Sequence, residues 1–213
     1  MIHSDGTPGP ADGSKATLRR SLLAVRAGLT KNDIRASEAA LGRRALELPE
    51  LSGAGTVAAY VSVGSEPGTR ALLDALRARG VRVLLPVLLP DNDLDWGLYR
   101  GAGHLVRAAR GLLEPDGERL GPDAVTEADA VLLPGLAVDG RGLRLGRGGG
   151  SYDRVLARLD RAGADPARVV LLYDDEVVAR VPEEPHDHPV HAVVTPGGVR
   201  RFAQRPGPDG LRP

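Results

Sequence analysis

The chain has 213 residues, 42% of them hydrophobic, and its 28 basic residues (Lys and Arg) equal its 28 acidic residues (Asp and Glu). This length favours one α/β domain with a sizeable core, and the absence of cysteine excludes disulfides and thiolate metal sites. Zero formal charge and 3% aromatic residues argue against nucleic acid as a partner, and no apolar run approaches the roughly 20 residues that span a bilayer. The N-terminal segment also lacks the apolar core of a secretory signal. We therefore expect a cytoplasmic protein, without a nucleic-acid or membrane partner, and a monomer.

The first helix is predicted directly after a polar tail. Residues 1–14 are rich in Gly, Pro and Asp and have little apolar surface to bury, so we expect them to be disordered. Ser14 is a suitable N-cap, and a helix over residues 15–28 follows. Its buried stripe is predicted from the apolar residues at helical spacing, which are Leu18, Leu22, Val25 and Leu29.

Basic residues share one face of this helix. Lys15 and Arg19 are four residues apart, and Arg26 lies two turns further along. Taken alone, this pattern favours a solvated basic face.

Helices and strands alternate along the rest of the chain. Thr30 and Asp33 resemble a capping box that begins a helix extending to about Leu48. The other helices are predicted at 69–80, 152–163 and 175–180, and the strands at 56–63, 81–89, 94–99, 129–133, 168–173 and 190–195. This order favours a single α/β domain over residues 15–198, built as an open, mostly parallel sheet with helices on both faces in three layers. A C-terminal tail is predicted over residues 199–213.

A glycine-rich segment follows the strand at 129–133 and precedes a helix. Six of the eleven residues in the range 140–150 are glycine, and Arg141, Arg144 and Arg147 stand among them. Glycine lets backbone N–H groups approach an anion closely, and a helix N-terminus and arginine side chains add favourable charge. The segment matches neither the P-loop nor the dinucleotide-binding pattern. We predict a phosphate site here, and the alternative is a flexible linker.

Acidic residues near this segment and near strand ends are candidate ligands. Asp153 beside a bound phosphate suits magnesium, although an acid in the first turn of a helix also interacts well with the helix dipole. Glu66 follows a strand and would face the carboxyl edge of the sheet; taken alone, it is more typical of a solvated loop. The tripeptide His186-Asp187-His188 resembles a metal motif, but no third histidine stands at helical spacing, so magnesium at Asp187 is favoured over zinc.

Two stretches of the sequence carry a family resemblance. Residues 133–139 (LPGLAVD) and 144–154 (RLGRGGGSYDR) closely resemble the signature of the 5-formyltetrahydrofolate cyclo-ligase family. Weaker matches occur in the same order along residues 15–196, at Lys15-x-x-Leu-Arg19, Glu66-x-x-Thr69, Leu85-Pro86, Glu114-Pro115, His186-Asp187 and Val193-Val194-Thr195.

The resemblance implies the family's open α/β sandwich and its reaction. Such an enzyme uses ATP and Mg²⁺ to convert 5-formyltetrahydrofolate, a reduced folate, to 5,10-methenyltetrahydrofolate, ADP and phosphate. ATP phosphorylates the formyl oxygen, N10 attacks the formyl carbon, and phosphate leaves. An amide-like formyl oxygen is a poor leaving group, and phosphorylation makes it a good one. The protein would contribute positioning and charge stabilisation.

The resemblance also implies roles for individual residues. Lys15 and Arg19 would bind ATP phosphates, and this role replaces the interpretation of a solvated basic face. Lys15 and Arg147 are the implied catalytic residues. Asp153 and Asp187 would hold magnesium. The nucleotide would be wrapped by Arg144, Leu145, Gly146, Arg147, Gly148, Gly149, Gly150, Ser151 and Tyr152. The folate would contact Val61, Glu66, Arg147, Gly148, Gly149, Gly150 and Ser151.

Three positions depart from the family's pattern. Many relatives have Tyr at Ser151, Phe at Val138 and Gln near Glu176, and these departures concern substrate fit more than ATP use. Two alternatives stay open. One is a diverged paralogue that uses the same ATP site on another small substrate, and the other is a nucleotide- or folate-binding module without turnover.

Overall fold

The computed structural model describes residues 14–185 and 187–203, so most of the predicted N-terminal tail and His186 lie outside the described residues. The described helices are α1 (Lys15–Ala27), α2 (Lys31–Ala45), α3 (Pro49–Ser52), α4 (Arg70–Ala78) and α5 (Ser151–Ala162). The described strands are β1 (Thr56–Ala58), β2 (Arg82–Leu88), β3 (Leu94–Leu98), β4 (Leu105–Arg107), β5 (Leu113–Pro115), β6 (Ala130–Pro134), β7 (Ala137–Asp139), β8 (Arg144–Leu145), β9 (Ala167–Leu171), β10 (Val177–Val178), β11 (Ala192–Thr195) and β12 (Gly198–Arg201).

Seven strands form the central sheet, in the order β12-β11-β9-β6-β1-β2-β3. The five inner strands are parallel, and the two edge strands, β3 and β12, run antiparallel to their neighbours. The inner strand β6 is buried at its first four positions because both faces of the sheet are covered, which explains its continuous apolar run.

Helices cover both faces of this sheet. On one face, Leu41 of α2 and Leu72 of α4 pack with strand residues such as Val57. On the other face, Val155 of α5 packs in a separate cluster that includes Ala58, the next residue of β1. Successive strand residues therefore point into opposite layers. The predicted α/β fold, with a mostly parallel sheet between two helical layers, is confirmed.

A second, three-stranded sheet has the order β10-β7-β8. Its strands β7 and β8 form an antiparallel hairpin inside the segment that the sequence predicts as a glycine-rich loop. Helix α1 packs on this sheet, where Leu22 joins Leu136, Leu143 and Leu145 in a third apolar cluster. This contact places α1 against the glycine-rich segment.

The predicted buried stripe of α1 is wrong at one position. Val25 is 52% exposed, whereas the neighbouring Arg26 is only 1% exposed. Arg26 occupies the inward position because a carboxylate, Glu176, meets it there. Periodicity of apolar residues alone does not reveal such a partner.

Two predictions near the C-terminus are also wrong. Instead of a helix at 175–180, a single 3-10 turn (Asp174–Glu176) leads into β10, which pairs with β7. The predicted tail also contains β12, which pairs with β11, and the buried side chain of Phe202. The folded domain therefore includes residues 199–202, whose polar composition reflects a half-exposed edge strand.

Candidate active site

A cleft of about 310 Å³ opens beside the glycine-rich segment. Part of its lining is apolar, and another part is the glycine-rich loop with its arginines. The lining residues are Tyr60, Val61, Val63, Glu66, Pro86, Leu88, Leu94, Arg110, Leu112, Leu113, Pro134, Gly135, Arg144, Gly146, Arg147, Gly148, Gly149, Gly150, Ser151, Tyr152 and Asp153. The cleft thus combines a surface for rings with a surface for anions.

The loop after β8 is shaped by glycines with positive φ. Gly148 has φ +90°, and Gly150 has φ +75° in the left-handed region, where a side chain would be strained. Gly150 occupies the N-cap position of α5 but has no side chain to accept a hydrogen bond. It therefore leaves the first-turn N–H groups of α5 without a side-chain acceptor at that position. This arrangement favours an anion at the start of α5.

Arg144 lies beneath this loop with its guanidinium almost fully buried. It donates to the carbonyl of Pro134 at 3.0 Å and pairs with Asp153 at 3.0 Å. Burial lowers the pKa of Arg144, and the charge of Asp153 opposes that shift. Arg144 therefore ties the end of β6 to the first turn of α5.

Arg147 joins the loop to the other side of the cleft. Its Nε lies 3.3 Å from Oε1 of Glu66, and Oε2 of Glu66 accepts a hydrogen bond from the N–H of Val63. Val61, predicted to contact folate, lines the same cleft. The contact therefore places two predicted folate residues beside a predicted catalytic arginine.

Arg19 of α1 contacts the loop, whereas Lys15 of the same helix meets carboxylates of the segment before β11, and neither residue lines the cleft. Arg19 Nε donates to the carbonyl of Gly146 at 2.9 Å. Lys15 Nζ binds both carboxylate oxygens of Asp187 at 2.8 Å and Glu184 at 2.9 Å, and its side chain is only 10% exposed. Burial alone would lower the pKa of Lys15, but the two carboxylates outweigh it and raise that pKa. The solvated basic face expected from spacing alone is wrong for these two residues.

Asp153 and Asp187 are each held by a cation, Arg144 and Lys15 respectively. Within residues 14–185 and 187–203, no three His, Cys, Asp or Glu side chains cluster as a metal cage, and His188 pairs with Asp160. The Asp153 side chain is 47% exposed. Such carboxylates fit a magnesium ion whose coordination is completed by phosphate and water, the arrangement this ion prefers.

Leu145 does not fit its predicted role through its side chain. That side chain is 1% exposed and packs with Leu22 of α1. Its carbonyl accepts a hydrogen bond from the N–H of Leu136. The prediction overlooked that the two-residue strand β8 alternates, so Arg144 faces the cleft and Leu145 faces α1.

A buried network under the cleft has no obvious sequence signal. Arg26 makes two hydrogen bonds to Glu176, at 2.6 and 2.8 Å, donates to the carbonyl of Gly135 at 2.7 Å, and lies over the Tyr173 ring. The N–H of Tyr173 donates to Glu176, and its hydroxyl donates to the carbonyl of Ser65, next to Glu66. The network links α1, the start of the glycine-rich segment and the Glu66 loop.

The sequence reasoning also missed Tyr60. Its side chain is buried and lines the cleft beside Val61. Burial raises the pKa of its hydroxyl and that of Tyr152, so both remain neutral near pH 7. The only signal was its position in the predicted strand at 56–63; in the structure β1 ends at Ala58, and Tyr60 and Val61 follow it.

The fold and this site define a class of protein. An open parallel sheet with a cleft at strand ends, a glycine-rich loop at a helix N-terminus, and cation–carboxylate pairs around it is typical of enzymes that bind phosphorylated ligands. No helix within the described residues combines the length and apolar character needed to cross a membrane.

Comparisons with known proteins identify a family within this class. A model described as the 5-formyltetrahydrofolate cyclo-ligase family matches residues 11–196. A 5-formyltetrahydrofolate cyclo-ligase of Mycolicibacterium smegmatis is 45% identical over 86% of this chain and 94% of its own length. One of Escherichia coli is 34% identical over 73% of this chain and 86% of its own length.

Solved structures agree with these relatives. The NMR structure of an Aquifex aeolicus 5,10-methenyltetrahydrofolate synthetase has a TM-score of 0.74 and 27% identity, covering 92% of this chain and 99% of that one. A Mycoplasma pneumoniae 5,10-methenyltetrahydrofolate synthetase, at 18% identity and a TM-score of 0.67, shares the fold over 85% of this chain and 98% of its own. The chain belongs to the 5-formyltetrahydrofolate cyclo-ligase family. The predicted resemblance, and the prediction of an enzyme of this family, are confirmed.

Proposed function

We propose that this chain converts 5-formyltetrahydrofolate to 5,10-methenyltetrahydrofolate in a reaction that consumes ATP, requires Mg²⁺ and releases ADP and phosphate. One observation carries the proposal. The ion pair between Arg147 and Glu66 joins the glycine-rich loop to the Val61 side of a single cleft. Residues suited to a phosphate and residues suited to a pterin therefore face the same space.

The glycine-rich loop and α1 would hold the nucleotide. Arg19 donates to the loop at Gly146, Lys15 on the same helix binds Asp187, and Arg144 donates to Pro134. The N–H groups at the start of α5 would bind phosphate oxygens, since Gly150 supplies no side-chain cap. Asp153 and Asp187 would hold Mg²⁺, which when bound supplies charge neutralisation at the phosphates.

Glu66 and Val61 would orient the folate. A carboxylate accepts hydrogen bonds from the ring N–H groups of a pterin, and Glu66 is already fixed by the N–H of Val63. Arg147, which is bonded to Glu66 here, would turn its guanidinium towards the transferred phosphoryl group. The apolar wall would exclude water from the reacting atoms.

Every step of the proposed reaction can be written with these residues only positioning the reactants. The γ-phosphoryl group moves to the formyl oxygen, and ADP leaves with the electron pair of the broken P–O bond. The N10 lone pair then attacks the formyl carbon, N10 loses its proton, and the C–O bond breaks as phosphate departs. No covalent bond to the protein forms, so catalysis rests on positioning and charge stabilisation.

The decisive assay measures product formation with the purified chain, 5-formyltetrahydrofolate, ATP and Mg²⁺. We expect the absorbance of the methenyl product to rise in proportion to ADP. ADP formation that depends on a different small substrate would favour the diverged paralogue. Ligand binding without ADP would favour the non-catalytic module. Either result with folded protein at saturating ligands would overturn the proposal.

The placement of the two ligands is tested with Glu66→Gln. The variant should raise the KM for 5-formyltetrahydrofolate by about tenfold or more, because it removes a charge-assisted contact of about 1.5–3 kcal/mol, and should leave the KM for ATP within twofold. Glu118→Gln, at an exposed position, is the matched control and should change neither constant. A Glu66→Gln effect confined to ATP would show that the ligand placement is wrong.

We also propose that the protein acts in the cytoplasm as a monomer. The absence of cysteine suits a reducing compartment. Light scattering coupled to gel filtration tests the oligomeric state, and a mass near 22.3 kDa is expected.

A further inference from the structure

The cleft is also lined by a cation that neither the nucleotide nor the pterin uses in the proposed arrangement. Its apolar lining includes Pro86 and Leu88 of β2, Leu113 of β5, and Leu112, the residue before β5. Arg110, at the tip of the β4–β5 hairpin, lines the same cleft.

Arg110 has an unusual backbone conformation. Its φ is +58° and its ψ is 20°, which is the left-handed region, and Asn92 is the only other non-glycine residue with positive φ within the described part of the chain. A residue with a Cβ is disfavoured there by roughly 1 kcal/mol or more. The next residue, Gly111, also has positive φ, at +74°. The two together turn the hairpin tip tightly, immediately before the cleft-lining Leu112 and Leu113.

Arg110 is exposed, and its side chain makes no ion pair or hydrogen bond with any residue in the ranges 14–185 and 187–203. The other arginines that line the cleft are engaged, Arg144 with Asp153 and Arg147 with Glu66. An arginine fork beside an apolar surface suits a ligand whose rings end in carboxylates.

We propose that Arg110 binds the glutamate carboxylates of the folate and so determines preference for substrates with an anionic tail. This inference rests on the proposed function. A reduced folate carries a pterin, then an aromatic benzoyl ring, then a dianionic glutamate. The pterin would lie at Glu66, the benzoyl ring along Leu88 and Leu113, and the glutamate at Arg110.

The test compares two substrates and three variants. The substrates are 5-formyltetrahydrofolate and its diamide, in which both glutamate carboxylates are carboxamides of nearly equal size. Arg110→Asn removes the cation and keeps a residue that tolerates the left-handed region. Arg110→Lys keeps a positive charge. Arg107→Asn is the matched control, because Arg107 lies on β4 of the same hairpin, is exposed, and is not among the cleft-lining residues.

We expect Arg110→Asn to raise the KM for 5-formyltetrahydrofolate by about three- to tenfold, the range for a partly exposed arginine–carboxylate contact. The KM for the diamide and the KM for ATP should not change. Arg110→Lys should raise the KM for 5-formyltetrahydrofolate less than Arg110→Asn does, because it keeps a positive charge. Arg107→Asn should behave as wild type.

Three results would overturn the inference while wild-type protein still makes the methenyl product: equal effects of Arg110→Asn on both substrates, an effect on ATP alone, or no effect. If the wild-type protein makes no methenyl product, the proposed function fails, and this inference fails with it. Wild-type turnover therefore separates the two failures.

Discussion

The two ends of helix α1 each place a cation against carboxylates, but in different surroundings. At the N-terminal end, Lys15 binds Asp187 and Glu184 with its side chain 10% exposed, and the Glu184 side chain is 49% exposed. At the C-terminal end, the side chains of Arg26 and Glu176 are 1% and 3% exposed, and their contact is bidentate. The Lys15 pair is not among the cleft-lining residues, whereas Arg26 also donates to the carbonyl of Gly135, which lines the cleft.

The difference in burial separates a pair that can exchange partners from a pair that cannot. The Glu184 side chain is 49% exposed, so water reaches one of the two carboxylates that bind Lys15, although Asp187 is only 11% exposed. Replacing an exposed partner with an ATP oxygen costs little free energy. Breaking the Arg26 pair would leave an uncompensated charge in the interior, with a penalty of several kcal/mol. We infer that Lys15 serves binding, whereas Arg26 holds Gly135 and Tyr173 in place around the cleft.

The largest expected effect is on the buried pair. Glu176→Ala should reduce the free energy of unfolding by about 3–5 kcal/mol, because Arg26 would remain buried without its counter-charge. Urea unfolding measures the loss. Glu50→Ala, which removes the partner of Arg201 in an exposed pair, is the control and should change stability by less than about 1 kcal/mol. Equal losses in the two variants would show that burial does not distinguish these pairs.

The next effect is at the N-terminal end of the helix. Lys15→Ala should raise the KM for ATP by about 10- to 100-fold, from loss of a charge-assisted contact of about 1.5–3 kcal/mol, and should change the free energy of unfolding by less than about 1 kcal/mol. Steady-state kinetics and urea unfolding are measured on the same protein. Lys31→Ala, at the exposed first residue of α2, is the matched control. A large loss of stability with unchanged KM would assign Lys15 a structural role instead.

The smallest effect is a pH dependence confined to the Lys15 end. The folded-state pKa of Lys15 is raised above its usual 10.5, so its contribution to stability is complete below that pH and is lost as pH rises through the folded-state pKa. Arg26, whose pKa is raised by Glu176 despite burial, stays charged throughout. The stability difference between wild type and Lys15→Ala, about 0.5–1 kcal/mol at pH 8, should therefore shrink above pH 10.5. Urea unfolding at pH 8 to 11.5 measures it, and a difference that grows with pH would contradict the assignment.

Much of the candidate site could be predicted from local sequence, and the failures have physical causes. Glycines between arginines, before a helix, indicate a phosphate site because backbone conformation and charge are local properties. The side chain of Leu145 packs against α1 rather than facing the cleft, because its direction depends on the pairing of β8 with β7. Glu176, treated as a peripheral departure from the family's pattern, is instead the partner of Arg26, 150 residues away in the chain.

The α/β class, the alternation of helices and strands, the capping residues Ser14 and Thr30, and the family motif could all be predicted from local sequence. These follow from local periodicity and local hydrogen bonding, which act within a few residues. The folded chain was needed to show which cation meets which carboxylate, that β12 forms one edge of the sheet, and that Arg110 lines the cleft. Such pairings depend on distances between residues far apart in the chain, and side-chain periodicity carries no information about them.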